Sequence, residues 1–235
     1  MVGNPPTVSR PTSSLAVLLA GTLACAAAGA PAQPGAAAAT ATSAADAPAE
    51  PRARPLASLA DARVVVVPVQ ALRAGDSLGF AAAAGEPRAW LARVDDEIAY
   101  ALDERKLRPA WATGAEAARM ARRNPTFGVD AYALDVGELR SDPKKGGPEL
   151  TPALSGKLRS LAALHGGRYV VVPVELRFAA ARDGGRAVLR VVAIDARAAQ
   201  LVWSGDVPGD PSPSFSPALA ASVAEKLADL ITAAP

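Results

Sequence analysis

Four consecutive valines and a proline, in ARVVVVPVQAL (62–72), are apolar at odd and even positions alike. A strand with one wet face alternates, whereas a strand apolar on both sides is covered on both. The run predicts a buried strand, with Pro68 at its end or at a bulge, because proline has no N–H to give a ladder. The period then changes. In PRAWLARVDDEIAYALDERKL (87–107), Leu91, Val94, Ile98 and Leu102 recur at helical spacing and predict an amphipathic helix. RPAWAT (108–113) predicts a short strand. It leads into Thr113, whose spacing to Glu116 is that of a capping box opening a helix that must stop before Pro125. Residues 126–150 suggest one short helix around 131–139 and then the polar loop RSDPKKGGPE.

The second half is more regular. Thr151 as N-cap and Pro152 as first helical residue open a helix striped by Leu154, Leu158, Leu161 and Leu164, with Gly166 just past its end. RYVVVPVELRFAA (168–180), RAVLRVVAIDA (186–196) and AQLVWSGDV (199–207), joined by short turns, predict an antiparallel meander. Ser216-Pro217 caps a last helix carrying Leu219, Val223, Leu227 and Leu230. The element order is β-α-β-α-α-β-β-β-α. It predicts a single α/β (α+β) domain over 61–235, one mixed sheet of about five strands with amphipathic helices packed on it. RVVVVPV (63–69) and RYVVVPV (168–174) differ only at their second position and predict two neighbouring central strands.

The amino-terminal region has another character. Arg10 precedes the apolar run LAVLLAGTLACAAAGA (15–30), whose leucine-rich centre suits a signal-peptide core and is too short to span a bilayer. Cleavage after Ala30-Pro31-Ala32 makes 1–32 a signal peptide. TLAC, ending at Cys25, offers the second reading: a leader of 1–24 and a lipidated Cys25, the only contact with a membrane that the sequence predicts. Residues 33–60 are Ala/Pro-rich and predict a disordered linker, because they hold too little apolar surface to offset the entropy of ordering. No cysteine follows Cys25, so neither a disulfide nor thiolate chemistry is expected in the folded part. The formal charge is +2, and Arg10 is the only charge in the first 32 residues, so the remainder carries +1. Scattered arginines at that balance form no stripe for phosphates, and no nucleic-acid partner is expected.

The valine strand ending in proline, the helix after it, GGRYVVVPVEL, the strand running into IDARAAQLVWSG and the closing helix resemble a group of bacterial envelope modules. These are the curli-assembly lipoproteins, the penicillin-binding-protein activator lipoproteins and the amino-terminal domain of the Tol-system translocation protein. The resemblance spans roughly 62–232. Its sharpest piece, Asp195 to Trp203, is similar to the family's D-x-x-x-G-x-x-x-W hairpin, with Ala199 where the family has glycine. The resemblance implies a non-catalytic α/β platform that binds an envelope protein partner in the periplasm or at the membrane.

Catalytic candidates are few. Gly75-Asp76-Ser77-Leu78 resembles the nucleophile block of a family of esterases and lipases, but a serine needs a base. His165 is the only histidine, and Ala162 stands where that family's Asp-x-x-His has its acid. His165 instead falls at a helix end, where an imidazole complements the dipole, and the following glycines suit a cap. Asp95, Asp96 and Glu97 fan out around a helix, cannot converge on one ion, and read as a solvated face. Lys144-Lys145-Gly146-Gly147 lacks the rest of a phosphate-binding loop. No cofactor and no metal site is expected, and Trp90 and Trp203 read as core. The sequence therefore predicts an exported, non-enzymatic module that binds a protein through a sheet edge or the helix 88–106. A hydrolase using Ser77 with His165 is one alternative. A periplasmic small-molecule binder with a cavity near Trp111 is the other.

Overall fold

The two valine strands lie side by side in parallel, Val64 to Val66 (β1) against Tyr169 to Val171 at the start of Tyr169–Ala181 (β3). The computed structural model describes residues 53–141 and 149–233. The chain carries a five-stranded mixed sheet in the order β2-β1-β3-β4-β5, where β2 is Trp111–Ala112, β4 Gly184–Asp195 and β5 Gln200–Pro208. β1, β2 and β3 run parallel; β3, β4 and β5 form the antiparallel meander. Five helices pack on it: α1 Phe80–Ala83, α2 Pro87–Glu104, α3 Gly114–Arg123, α4 Pro152–Leu164 and α5 Ala218–Asp229. The protein is an α+β fold of the predicted element order, with α1 added.

Each sheet face has its own core. Val64, Val66 and Val171 join Trp90, Val94 and Ile98 of α2 and Leu219, Val223 and Leu227 of α5 on one face. Val65, Val67, Val170 and Val172 join Ala117 and Ala121 of α3 and Leu154, Leu158 and Leu161 of α4 on the other. Two covered faces explain why the strands read as continuous apolar runs. β3 also changes parity. Pro173 pairs with Val191 and Glu175 with Arg190, so Val174 is an extra residue in a bulge. Before it odd residues (Val171) face the α2 core; after it even ones (Leu176, Phe178) do. Glu175, buried after the bulge, is paired with Arg73 at 2.5 Å and Arg140 at 3.6 Å.

Local signals account for most helix ends. Thr113 and Glu116 form the capping box of α3. The Thr151 hydroxyl accepts from the Leu154 N–H, Pro152 is the first residue of α4, and Gly166 follows with φ 61°. At α5 no side chain caps; the Ser216 and Pro217 carbonyls accept the first N–H groups instead. The helix expected at 131–139 is a turn and a 3₁₀ segment, Gly137–Arg140. A second difference lies in the Ala/Pro stretch assigned to linker. Leu56 and Leu59 are core residues, the Leu56 N–H donates to the Leu230 carbonyl, and buried Trp111 donates its indole N–H to the Leu59 carbonyl at 3.2 Å. Two leucines in a low-complexity stretch show no period, and only the groove that receives them makes them core. Residues 33–52 of that stretch, the leader and Cys25 lie outside the described residues, as do Lys144, Lys145, Gly146 and Gly147.

The β4–β5 hairpin is built as the Asp195–Trp203 motif suggests. The Asp195 carboxylate accepts from the Arg197 and Ala198 N–H groups and from the Arg168 side chain at 2.8 and 2.6 Å. Ala199 takes the left-handed conformation, φ 55°, that glycine adopts freely. Two expectations follow. Ala199→Gly relieves that conformation and should raise unfolding free energy by about 0.5–1 kcal/mol in chemical denaturation. Gly114→Ala should lower it by about 1–3 kcal/mol despite alanine's better helix propensity, because the new Cβ would lie 3.0 Å from the Pro68 backbone.

Candidate functional site

Pro68 ends β1, and the backbone beyond it must find partners outside the regular ladder. The Gln70 N–H donates to the Pro173 carbonyl on β3, while the Val69 N–H donates to Asp95 Oδ1 on α2 at 2.8 Å. From β1 the chain leaves over one face through α2 and returns to β3 over the other through α3 and α4. In open sheets such a divergence leaves a crevice beyond the strand's carboxyl end. Here Val69, Gln70, Arg88, Leu91, Ala92, Asp95 and Tyr132 line a cleft of about 290 Å³.

Each wall has a local cause. Glu86 caps α2 through the Arg88 and Ala89 N–H groups, which fixes Arg88 in the first turn at the rim. Leu91, Ala92 and Asp95 follow at helical spacing toward Val69. The opposite wall is held by Gln70, whose Nε2 donates to the Ala131 carbonyl at 2.9 Å and to the Pro68 carbonyl at 2.6 Å. Its Oε1 accepts from the Leu134 N–H at 3.0 Å. Asp130 accepts from the Tyr132 N–H at 2.9 Å and turns that ring outward, 38 % exposed. These tethers replace the helix expected at 131–139.

Asp95 is the chemically unusual member. The sequence places it on a solvated face with Asp96 and Glu97; in the structure it is largely covered. Its position explains the difference: it stands four residues after Leu91 and beside Val94, at the edge of the apolar stripe, and that edge signal could have singled it out. Burial, opposed by the Val69 N–H and reinforced by Asp96, pushes its carboxyl up to about 7. No cation pairs with it among the described residues. Gln70 and Tyr132 escape a sequence reading as well, because nothing local shows that a polar residue inside a valine strand will hold a loop sixty residues away.

The structure sets the hydrolase candidates apart. Ser77 is an exposed turn residue, and Asp76 caps α1, accepting from the Leu78, Phe80 and Ala81 N–H groups. A Cβ on Gly185, at the β3–β4 turn, would clash with Leu78, which places the Ser77 turn beside that hairpin. His165 closes α4 next to the start of β3. The strand between these ends spans roughly 35 Å at about 3.3 Å per residue, so Ser77 and His165 are not brought together. Burial lowers the His165 pKa while Glu116 raises it, and its Nε2 is buried without a partner. A lowered pKa does not fit the dipole-complementing imidazolium expected there. His165 borders two further hollows, one of about 260 Å³ beside Glu116, Arg119 and Arg123, the other of about 430 Å³ beside Arg63 and Ala110. Trp111 borders none of the three. Trp90 is buried against Phe215 at 4.8 Å between centroids, and Trp203 is half-buried over Gly205. Among the described residues no three His, Cys, Asp or Glu gather as a metal site, and no helix is long and apolar enough to cross a membrane.

A raised carboxyl pKa has a defined consequence for stability. The folded state holds the Asp95 proton more tightly than the unfolded chain, whose value is near 3.8. The resulting stabilisation is complete below about pH 4 and is lost as pH rises through about 7. Asp95→Asn keeps an acceptor for the Val69 N–H and does not titrate. Denaturation at pH 5 and pH 8 should show the wild type losing more stability with rising pH than this variant.

No family model matches the chain, and no curated protein matches it. Solved structures similar to it include Escherichia coli LpoB, determined by NMR, at 14 % identity over 87 % of this chain and 89 % of that one, TM-score 0.32. The LpoB C-terminal domain from Salmonella enterica is similar at 15 % identity over 68 % of this chain and 95 % of that one, TM-score 0.31. A PelC dodecamer from Paraburkholderia phytofirmans is similar at 14 % identity over 73 % of this chain and 88 % of that one, TM-score 0.29. At such identities and TM-scores the likeness assigns neither a partner nor an activity.

Proposed function

We propose that the chain is an exported, non-enzymatic accessory module of a bacterial cell envelope, which holds a protein partner in the cleft beyond β1. The observation that carries this reading is the cleft itself: apolar side chains of Val69, Leu91 and Ala92, one carboxylate, an arginine at the rim and an outward tyrosine. Binding sites combine an apolar lining with a few placed polar groups in this way, and tyrosine and arginine are the side chains that anchor interfaces. It lies on the first half of the helix 88–106. A hydrolase needs a base within reach of its nucleophile, and Ser77 stands at the far end of β3 from the single imidazole. Export follows from the apolar run 15–30. Cleavage after Ala32 would release the module into the periplasm, and lipidation of Cys25 would anchor it to a membrane.

Site-specific photo-crosslinking in the native bacterium tests the proposal. A photoreactive phenylalanine replacing Tyr132 should trap one defined envelope protein, whereas the same group replacing the exposed Arg197, in the β4–β5 turn at the opposite end of the sheet, should not. Leu91→Glu should reduce the adduct about tenfold or more. Equal adducts at both positions, or none at Tyr132, would refute it. Ser77→Ala should leave any ester hydrolysis by the purified protein unchanged.

A further inference from the structure

The cleft lacks a charge that its own walls call for. Asp95 uses Oδ1 to accept the Val69 N–H, and its carboxylate lies between that backbone and the apolar wall of Leu91 and Ala92. The charged or titratable groups around it are Asp96 on its own helix, Arg88 about two turns earlier at the rim, and Tyr132 across the cleft. Asp96 repels it. Arg88 is exposed and makes no ion pair with Asp95, nor with any other carboxylate among the described residues. A largely covered carboxylate without a counter-charge is costly to ionise, and a cation brought by a ligand restores the ionised form.

We infer that the cleft beyond β1 receives the ammonium or guanidinium head of a lysine or arginine side chain from the protein partner, with Asp95 as its counter-charge. The inference rests on the reading of this cleft as the partner site. The chain that carries the cation lays its aliphatic stem along Leu91 and the Tyr132 ring, as long basic side chains do on apolar surface. About 290 Å³ accommodates one such side chain and not a folded element. The free Asp95 oxygen and the Tyr132 hydroxyl supply acceptors. Arg88, at the rim, donates to carbonyls of the entering segment and disfavours a second cation beside the first. Protonated Asp95 offers no charge, so binding strengthens with rising pH and releases a proton.

The probes are Nα-acetyl-lysine methylamide and its uncharged counterpart, Nα-acetyl-norleucine methylamide, titrated into the ¹⁵N-labelled mature protein at pH 6 and pH 8. The lysine probe should shift the Val69, Gln70 and Leu91 amide resonances saturably. Its affinity should rise up to about tenfold from pH 6 to pH 8, as the ionised fraction of a group titrating near 7 climbs from about one eleventh to about ten elevenths. The norleucine probe should bind at least about tenfold more weakly. Asp95→Asn, which retains the Val69 acceptor and whose folding the same spectrum reports, should abolish the difference between the probes. Equal binding of the two probes to the wild type, or undiminished lysine binding by Asp95→Asn, would overturn the inference. So would preferential binding of Nα-acetyl-glutamate methylamide that is lost in Arg88→Gln. The two readings fail separately. If the crosslink at Tyr132 forms equally in Asp95→Asn, the cleft still holds a partner but not through a cation; if the lysine probe binds as expected while Tyr132 traps no protein, the cation site stands and the protein-partner reading falls.

Discussion

One hydrogen bond, from the Val69 N–H to Asp95, joins the end of the first strand to the helix that covers it. Proline at 68 makes it necessary. β1 loses its regular ladder there, and a buried N–H without a partner costs about 1–3 kcal/mol. The carboxylate that meets this need is drawn off the solvated side of α2 and becomes the floor of a cleft. The cleft therefore follows from the backbone accounting of the strand end, and its unusual carboxyl follows from the cleft.

The opposite wall is positioned by the next residue. Gln70 uses both ends of its amide to hold Ala131 and Leu134, so the loop carrying Tyr132 is fixed by a side chain in the strand and not by helix formation of its own. On the far side of the sheet Gly114 lies against the Pro68 backbone, which lets α3 approach closely. Three adjoining residues, Pro68, Val69 and Gln70, thus set the positions of α3, α2 and the loop that carries Tyr132. A cleft assembled on a strand end in this way is positioned by residues next to one another in the chain.

The same economy explains why the other candidates do not combine. β3 is long enough to place its two ends in different neighbourhoods, one with Leu78 and the β3–β4 turn, the other with His165 and Arg63. The Gly-Asp-Ser-Leu tetrapeptide serves as a turn and a cap, with Asp76 satisfying the first N–H groups of α1. A short motif has the chemistry of its surroundings, and the chain's single histidine lies at the other end of β3.

Much of the fold was legible because it rests on near-neighbour physics. The valine runs declared strands covered on both faces, leucines at helical spacing declared α4 and α5, Thr113 with Glu116 and Thr151 with Pro152 marked helix starts, and short turns dictated the meander. The site was less legible. Asp95 at the edge of an apolar stripe was the one local hint, and Gln70, Tyr132, Leu56 and Leu59 offered none, since each acquires its role from a partner far away in sequence. The bulge at Val174, which switches the faces of β3, was invisible because a strand apolar on both sides looks the same in either parity. Periodicity and capping depend on residues within one turn or one pleat, and so the chain alone determined them; the cleft depends on where a strand end, a helix and a loop converge, and only tertiary packing decided that.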